Sequence, residues 1–323
     1  MMETMQALWL EDQIFSLHTD VPKPVPGKDE ALIRVRLAGV CNTDLEMGRG
    51  YYPFTGVPGH EFVGDVVAAP DAPQWVGKRV VGEINVTCGT CEPCLSGRRH
   101  HCENRAAIGI SGRNGVFAEY LTLPVRNLHV VPTNIPDEAA VFTEPLAAAV
   151  QIQEQVHIAP GTRVLVVGAG RLGLLIAQSL RLTGCQLQVV VRHDYQRELL
   201  AQWHIAAVTE ADVADRSMDV SVEVTGSPDG FALARRAVRG MGTMVLKSTY
   251  KGEMPVDFSS IVVDEITLVG SRCGSFAPAL RLLERGLIDP RALIQSRYPL
   301  SQGLRALDHA AERGVLKVLI QPS

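Results

Sequence analysis

Four cysteines fall within fifteen positions, Cys88, Cys91, Cys94 and Cys102, in the spacing C-x-x-C-x-x-C-x7-C. Thiolates are soft ligands. Four of them on a tight loop can close a tetrahedral zinc shell with bonds of about 2.3 Å and no open position. Gly89, Pro93 and Gly97 supply the turns that let near neighbours converge. Such a closed site braces a loop and leaves no vacancy for chemistry. Four unrelated reduced thiols would be the bland alternative, and the specificity of the spacing weighs against it. A zinc-ribbon nucleic-acid module is a further alternative, opposed by the lack of a basic stripe around the loop.

A second set of ligands is more dispersed. Cys41 and the triplet Gly59-His60-Glu61 offer one sulfur, one nitrogen and one carboxylate. Each alone is weak, but together they suit a catalytic zinc with a replaceable fourth ligand. Glu144, in Thr143-Glu144-Pro145, is a further acid at the start of the second half of the chain.

A third constellation is Gly168-Ala169-Gly170-Arg171-Leu172-Gly173, a G-x-G-x-x-G run that follows a short apolar strand and opens a helical pattern. Its glycines permit a tight turn and a close approach of a pyrophosphate to the helix N-terminus, where free N–H groups favour anions. Nineteen residues after Gly173 stands Arg192, with His193 beside it, where an acid would grip an NAD ribose. A guanidinium suits a 2′-phosphate, so NADP(H) is favoured over NAD(H). Asp194 keeps NAD(H) open if the strand ends two residues later.

The elements that must carry these groups differ between the two halves. Residues 1 to about 143 read as an irregular β-rich domain, with strands expected at 31–37, 62–68, 79–81 and 117–123, and a hairpin turn at Asn114-Gly115. Beyond Pro160-Gly161, strands at 163–167, 187–191, 205–208, 219–224, 243–247 and 266–269 alternate with helices, among them 195–202 and 228–239. Gly184 is the expected stop of the helix that the glycine run opens. This alternation predicts a parallel, doubly wound sheet of about six strands. Two tail helices, near 276–285 and 301–313, precede a last strand at 315–320.

Bulk properties exclude little else. The 323 residues are 46 % hydrophobic and 20 % charged with a net charge of -4, which gives no support for nucleic-acid or membrane-surface binding by charge alone. No apolar run approaches the roughly 20 residues that span a bilayer, and the N-terminus lacks a signal-peptide pattern, so a cytoplasmic protein is expected. Clustered cysteines in such a chain favour metal thiolates over disulfides.

Taken in order, Cys41-Asn42-Thr43-Asp44, Gly59-His60-Glu61-Phe62-Val63-Gly64, the thiolate loop, Gly115-Val116-Phe117-Ala118-Glu119-Tyr120, Glu144-Pro145-Leu146 and Gly168 to Gly173 cover nearly the whole chain. In these stretches the sequence resembles the zinc-containing medium-chain dehydrogenases, such as alcohol, polyol, threonine and glucose dehydrogenases. The resemblance implies an α/β fold: a GroES-like β-rich catalytic domain over 1–144 and 273–323, interrupted by a Rossmann dinucleotide-binding domain over 145–272. It implies two zinc ions, a structural one on Cys88, Cys91, Cys94 and Cys102 and a catalytic one on Cys41, His60 and Glu61. Glu144 would reach the catalytic ion directly or through water.

Thr43 matches the hydroxyl that relays the substrate proton, and Asp44 the carboxylate that orients His60. Glu46 stands where many relatives carry a relay histidine, as a proton carrier, a substrate contact or an exposed acid. Lys317 matches a basic position near the pyrophosphate, with a solvated surface lysine as the other reading. Tyr51, Tyr52, Phe54 and Arg272 are candidates for the substrate pocket.

The implied activity is reversible oxidation of a polyol, sugar or amino-alcohol to a carbonyl with NADP(H) or NAD(H), by a homodimer or homotetramer that binds no nucleic acid or membrane. The competing readings are a catalytically silent NADPH- and zinc-binding sensor and a zinc-independent quinone or enone reductase.

Overall fold

In the computed structural model, residues 3–250 and 253–322 are described. They form two compact units: the residues up to Glu144 with those from Leu280 onward, and Pro145–Ala279 between them. The return to the first unit therefore falls inside the helix Phe276–Glu284, later than the expected 273.

The first unit is built on a mixed sheet. Its strands run Leu128–Val130, Arg79–Gly82, Glu61–Ala68, Glu30–Gly39, Lys317–Gln321 and Ile294–Pro299, and Tyr120–Pro124 also pairs with Glu30–Gly39. Along Glu30–Gly39 the side chains alternate: Ile33, Val35 and Leu37 are buried while Arg34 and Arg36 face solvent. This is the period of two expected of a strand with one face on a core. Pairing sets Gly39 opposite both Glu61 and Leu319, so the last strand of the chain locks onto an early one.

Asn114-Gly115 makes no hairpin, contrary to expectation. The Asn114 carboxamide oxygen accepts the Val57 N–H at 3.0 Å, and the Gly115 N–H donates to the Val57 carbonyl at 2.6 Å. A side chain at Gly115 would overlap the Gly59 carbonyl. The dipeptide is instead a buttress for the segment leading into His60. The expected strand at 117–123 begins only at Tyr120, because Phe117 bonds through its backbone to Leu8 and Pro58 instead.

The second unit is a six-stranded parallel sheet, in the order Ala206–Val208, Gln186–Val190, Arg163–Val167, Met218–Glu223, Val238–Leu246, Thr267–Gly270. Counted by sequence this is 3-2-1-4-5-6, the doubly wound order with its switch point between the first and fourth strands. The helix Arg171–Arg181 buries Leu174, Leu175, Ile176 and Leu180. Just after it, Gly184 adopts a positive φ of 76°. A helix not anticipated from sequence, Thr143–Gln155, carries the chain across the boundary. Among the described residues no helix is long and apolar enough to cross a membrane.

Candidate functional site

Cys41 follows the strand Glu30–Gly39 by two residues and stands at the N-cap of the short helix Asn42–Met47. Its backbone N–H donates to Asp44 Oδ2 at 2.8 Å, and its Sγ lies 3.8 Å from Thr43 Oγ1. The other oxygen of Asp44, a completely buried residue, lies 3.2 Å from His60 Nδ1. One carboxylate thus caps the helix and holds the imidazole through Nδ1, leaving Nε2 as the nitrogen available to a metal. A carboxylate in that place fixes the tautomer and raises the basicity of a ligand histidine.

Glu61 opens the strand that follows, directly across from Gly39, where any side chain would overlap its carboxylate. The ligand atoms of Cys41, His60 and Glu61 all lie within 4.8 Å of one another. Burial by itself disfavours a charged His60, yet Asp44 and then Cys41 push its pKa well above the ordinary histidine range. The cluster therefore attracts positive charge. Sulfur, nitrogen and carboxylate in this arrangement fit a zinc ion with a position left open.

Lys317 departs from both expectations for it. It is 2 % exposed, and its Nζ donates to Glu61 Oε2 at 2.5 Å and to the Val40 carbonyl at 3.2 Å. Its ammonium thus neutralises a buried carboxylate and is offered neither to a diphosphate nor to solvent. Glu144 stands in the first turn of Thr143–Gln155 and does not belong to the Cys41–His60–Glu61 group. Glu46, on the helix with Thr43, forms an ion pair with Arg49 at 2.7 Å. Tyr51 and Tyr52 follow this helix with ring centroids 6.3 Å apart.

The thiolate loop gathers as its spacing predicts. Cys91 Sγ and Cys88 Sγ lie 3.7 and 3.6 Å from Cys102 Sγ. Sulfurs at the corners of a zinc tetrahedron with bonds of about 2.3 Å are about 3.8 Å apart. These two distances match it, and Cys94 completes a group whose ligand atoms all lie within 4.8 Å of one another, so the four cysteines fit the ion. Hydrogen bonds from the Thr90 hydroxyl and from the Thr90 and Cys91 N–H groups bring the Cys88 thiol down to about 5. These donors favour a thiolate at Cys88, while burial and the neighbouring thiols push Cys91 up to about 11.

In the second unit, a cavity of about 240 Å³ lies at the carboxyl ends of the strands. Gly168, Gly170, Arg192, His193 and Thr225 are among its lining residues. Arg171, Leu172 and Gly173 form the first turn of the helix beyond it. A side chain at Gly173 would overlap the Gly168 carbonyl, which explains the third glycine of the run. Arg192 lies just past the strand Gln186–Val190, while Asp194 is already the first residue of the helix Asp194–Gln202 and is not in the lining.

Sequence reasoning missed Gln196. Its Oε1 accepts the Arg192 and His193 N–H groups at 2.9 and 3.2 Å, and its Nε2 donates to the Ala169 carbonyl at 3.0 Å. One buried amide thus ties the glycine turn to the Arg192 turn. A glutamine three residues into a helix is a capping-box signal that could have revealed it.

Two family descriptions match the chain: the alcohol dehydrogenase GroES-like domain over residues 27–133 and the zinc-binding dehydrogenase over residues 172–285. D-arabinitol dehydrogenase 1 of Uromyces fabae is 32 % identical, covering 93 % of this chain and 92 % of its own. Among solved structures, a Sinorhizobium meliloti 1021 protein bound to NADP superposes with a TM-score of 0.91 at 29 % identity, over 99 % of this chain and 100 % of its own. An alcohol dehydrogenase of Escherichia coli CFT073 complexed with NADH gives 0.90 at 25 %, over 98 % and 99 %.

The fold and the site define a zinc-containing medium-chain dehydrogenase, and the chain belongs to that family. It is a zinc-dependent oxidoreductase of the alcohol dehydrogenase type that works with a nicotinamide dinucleotide. A silent scaffold is not favoured.

Proposed function

We propose that the protein oxidises a secondary hydroxyl of a polyol-type substrate to a carbonyl, with NADP(H) as the preferred dinucleotide. The convergence of Cys41, His60 and Glu61 beside Asp44 carries the reading of the metal centre. These three residues would hold the catalytic zinc, and Cys88, Cys91, Cys94 and Cys102 the structural one. The likeness to a D-arabinitol dehydrogenase supports the substrate class.

When bound, zinc would supply a Lewis acid that lowers the pKa of an alcohol oxygen, and the dinucleotide would supply the hydride acceptor. The protein contributes position and proton management. Thr43 Oγ1, close to Cys41 Sγ, takes the substrate's hydroxyl proton. Asp44 holds His60 in one tautomer. Lys317 holds one oxygen of Glu61 and leaves the other free. Glu144, outside the ligand group, would reach the ion through water rather than directly. Glu46, three residues beyond Thr43 on the same helix and paired with Arg49, would be the acceptor of that proton.

The NADP(H) preference rests on Arg192, an exposed residue that lines the cavity just past the strand Gln186–Val190, while the acids of the lining, Glu210 and Asp229, come from other segments. Binding of NADPH and NADH to the wild type and to Arg192→Ala tests it. The variant should lose at least about tenfold affinity for NADPH and little for NADH; an unchanged preference contradicts it. Turnover with D-arabinitol and other polyols tests the substrate class, which fails if only simple primary alcohols react.

Reduced, metal-ready thiolates also support a cytoplasmic setting. A homodimer is supported by the strand Thr267–Gly270, which ends the sheet with its outer edge unpaired among the described residues. In the helix just before it, Phe258, Val262 and Val263 are 66 %, 73 % and 79 % exposed. An open edge flanked by apolar side chains is suited to pairing with a second copy.

A further inference from the structure

At the carboxyl end of the strand Met218–Glu223, Glu223 is completely buried, and among the described residues no lysine or arginine forms an ion pair with it. Hydrogen-bond donors satisfy it instead. Its Oε1 accepts the Thr225 N–H and the Thr225 hydroxyl, both at 2.6 Å, and the Gly226 N–H at 3.1 Å. Its Oε2 accepts the Tyr250 hydroxyl at 2.6 Å.

A carboxylate can only accept, and this fixes the direction of every bond beyond it. Thr225 gives its hydroxyl hydrogen to Glu223. The 2.9 Å contact between Thr225 Oγ1 and Ser227 Oγ must then be a donation from Ser227. Ser227 Oγ in turn accepts the Gly230 N–H at 3.1 Å, capping the helix Pro228–Ala237. One polarised chain therefore runs from a helix N-terminus through the turn 225–227 to Glu223.

That turn is a wall of the dinucleotide cavity. Thr225 and Gly230 line it with Gly168, and a side chain at Gly168 or Gly230 would press on Thr225. Displacing the turn by a few tenths of an ångström would move it against the glycine run that must accept the pyrophosphate. Removing the carboxylate would leave four donors, on the half-buried Thr225 and Tyr250 and on Gly226, without their shared acceptor, and donors that lose a preformed acceptor rearrange locally to find another. Tyr250, on the other oxygen, orients the carboxylate from the segment after Val238–Leu246.

We propose that Glu223 is a positioning residue for the dinucleotide, holding the turn 225–227 as a preformed wall of the cavity and so governing cofactor affinity rather than the hydride step. The proposal rests on the cavity being the dinucleotide site. The test titrates NADPH and NADH by their fluorescence into the zinc-loaded wild type, Glu223→Ala and Glu223→Gln. Cofactor KM, kcat at saturating cofactor and thermal midpoints are measured alongside.

Glu223→Ala should weaken both dinucleotides at least about tenfold, with kcat within about twofold of wild type. Glu223→Gln keeps one acceptor oxygen and should fall between, about threefold weaker. A role in stability alone would lower the thermal midpoint and leave the affinity of the folded protein unchanged, which overturns the proposal. A fall in kcat at unchanged affinity overturns it as well. If Glu223→Ala does not fold, wild-type affinity in Glu223→Gln is the overturning result. A wild type that binds neither dinucleotide would instead remove the reading of the cavity itself.

Discussion

Glu61 has two oxygens and two demands on them, and Lys317 meets one. The ion pair is almost fully buried, at 1 % and 2 % side-chain exposure. Removing one member of such a pair leaves an uncompensated charge out of water, at a cost of about 3–5 kcal/mol. Lys317→Met should therefore lower the thermal midpoint far more than a surface lysine substitution such as Lys28→Met, and calorimetry on both variants checks it. The 3.2 Å contact between Asp44 and His60 predicts a different outcome. Asp44→Asn should keep the fold and weaken metal binding at the open site by about 10- to 100-fold, read by competition with a chelator. Wild-type retention of zinc by that variant would show that Asp44 only caps its helix. Pairs such as Lys317 with Glu61 were not legible in the sequence, because 256 positions separate the partners and only folding reveals that one neutralises the other. The thiolate cluster was legible, because its ligands and its turns lie within a single loop.

Between elements, Asp219 binds the sheet of the second unit across three strands. Its carboxylate accepts Arg163 N–H groups from the backbone and the side chain at 2.8 and 3.0 Å, and Arg239 Nε at 2.7 Å. Arg163 and then Arg239 hold its pKa far below the ordinary carboxylate value of 3.8. A folded-state pKa below the unfolded one means that the contribution is complete above the unfolded value and is lost as pH falls toward the folded one. Stability should therefore decline below about pH 4, and Asp219→Asn should flatten that part of the profile. Thermal midpoints between pH 6 and pH 3 measure it, and identical slopes for both proteins contradict it. The strands and helices around this carboxylate were largely readable from their alternation. The helix Thr143–Gln155 was not, since Pro145 looks like an interruption although a proline is tolerated in a first turn. Asn114-Gly115 misled for a related reason: a turn signal says that the chain bends, and not what it bends against.

For the whole molecule, the edge at Thr267–Gly270, unpaired among the described residues, and the apolar side chains beside it predict a dimer in solution. Val262→Asp should shift the mass measured by light scattering toward 35.0 kDa, the mass of one chain. A wild type already at that mass would contradict the prediction. The larger claim is that one chain carries two metal sites of different purpose, one closed on four sulfurs and one left open for chemistry. Zinc content and polyol-dependent dinucleotide reduction, measured together on wild type and His60→Ala, test this claim most directly. Two zinc ions per chain and turnover are expected for the wild type, and one zinc ion with almost no turnover for the variant. A His60→Ala protein that keeps the wild-type zinc content and rate would contradict it.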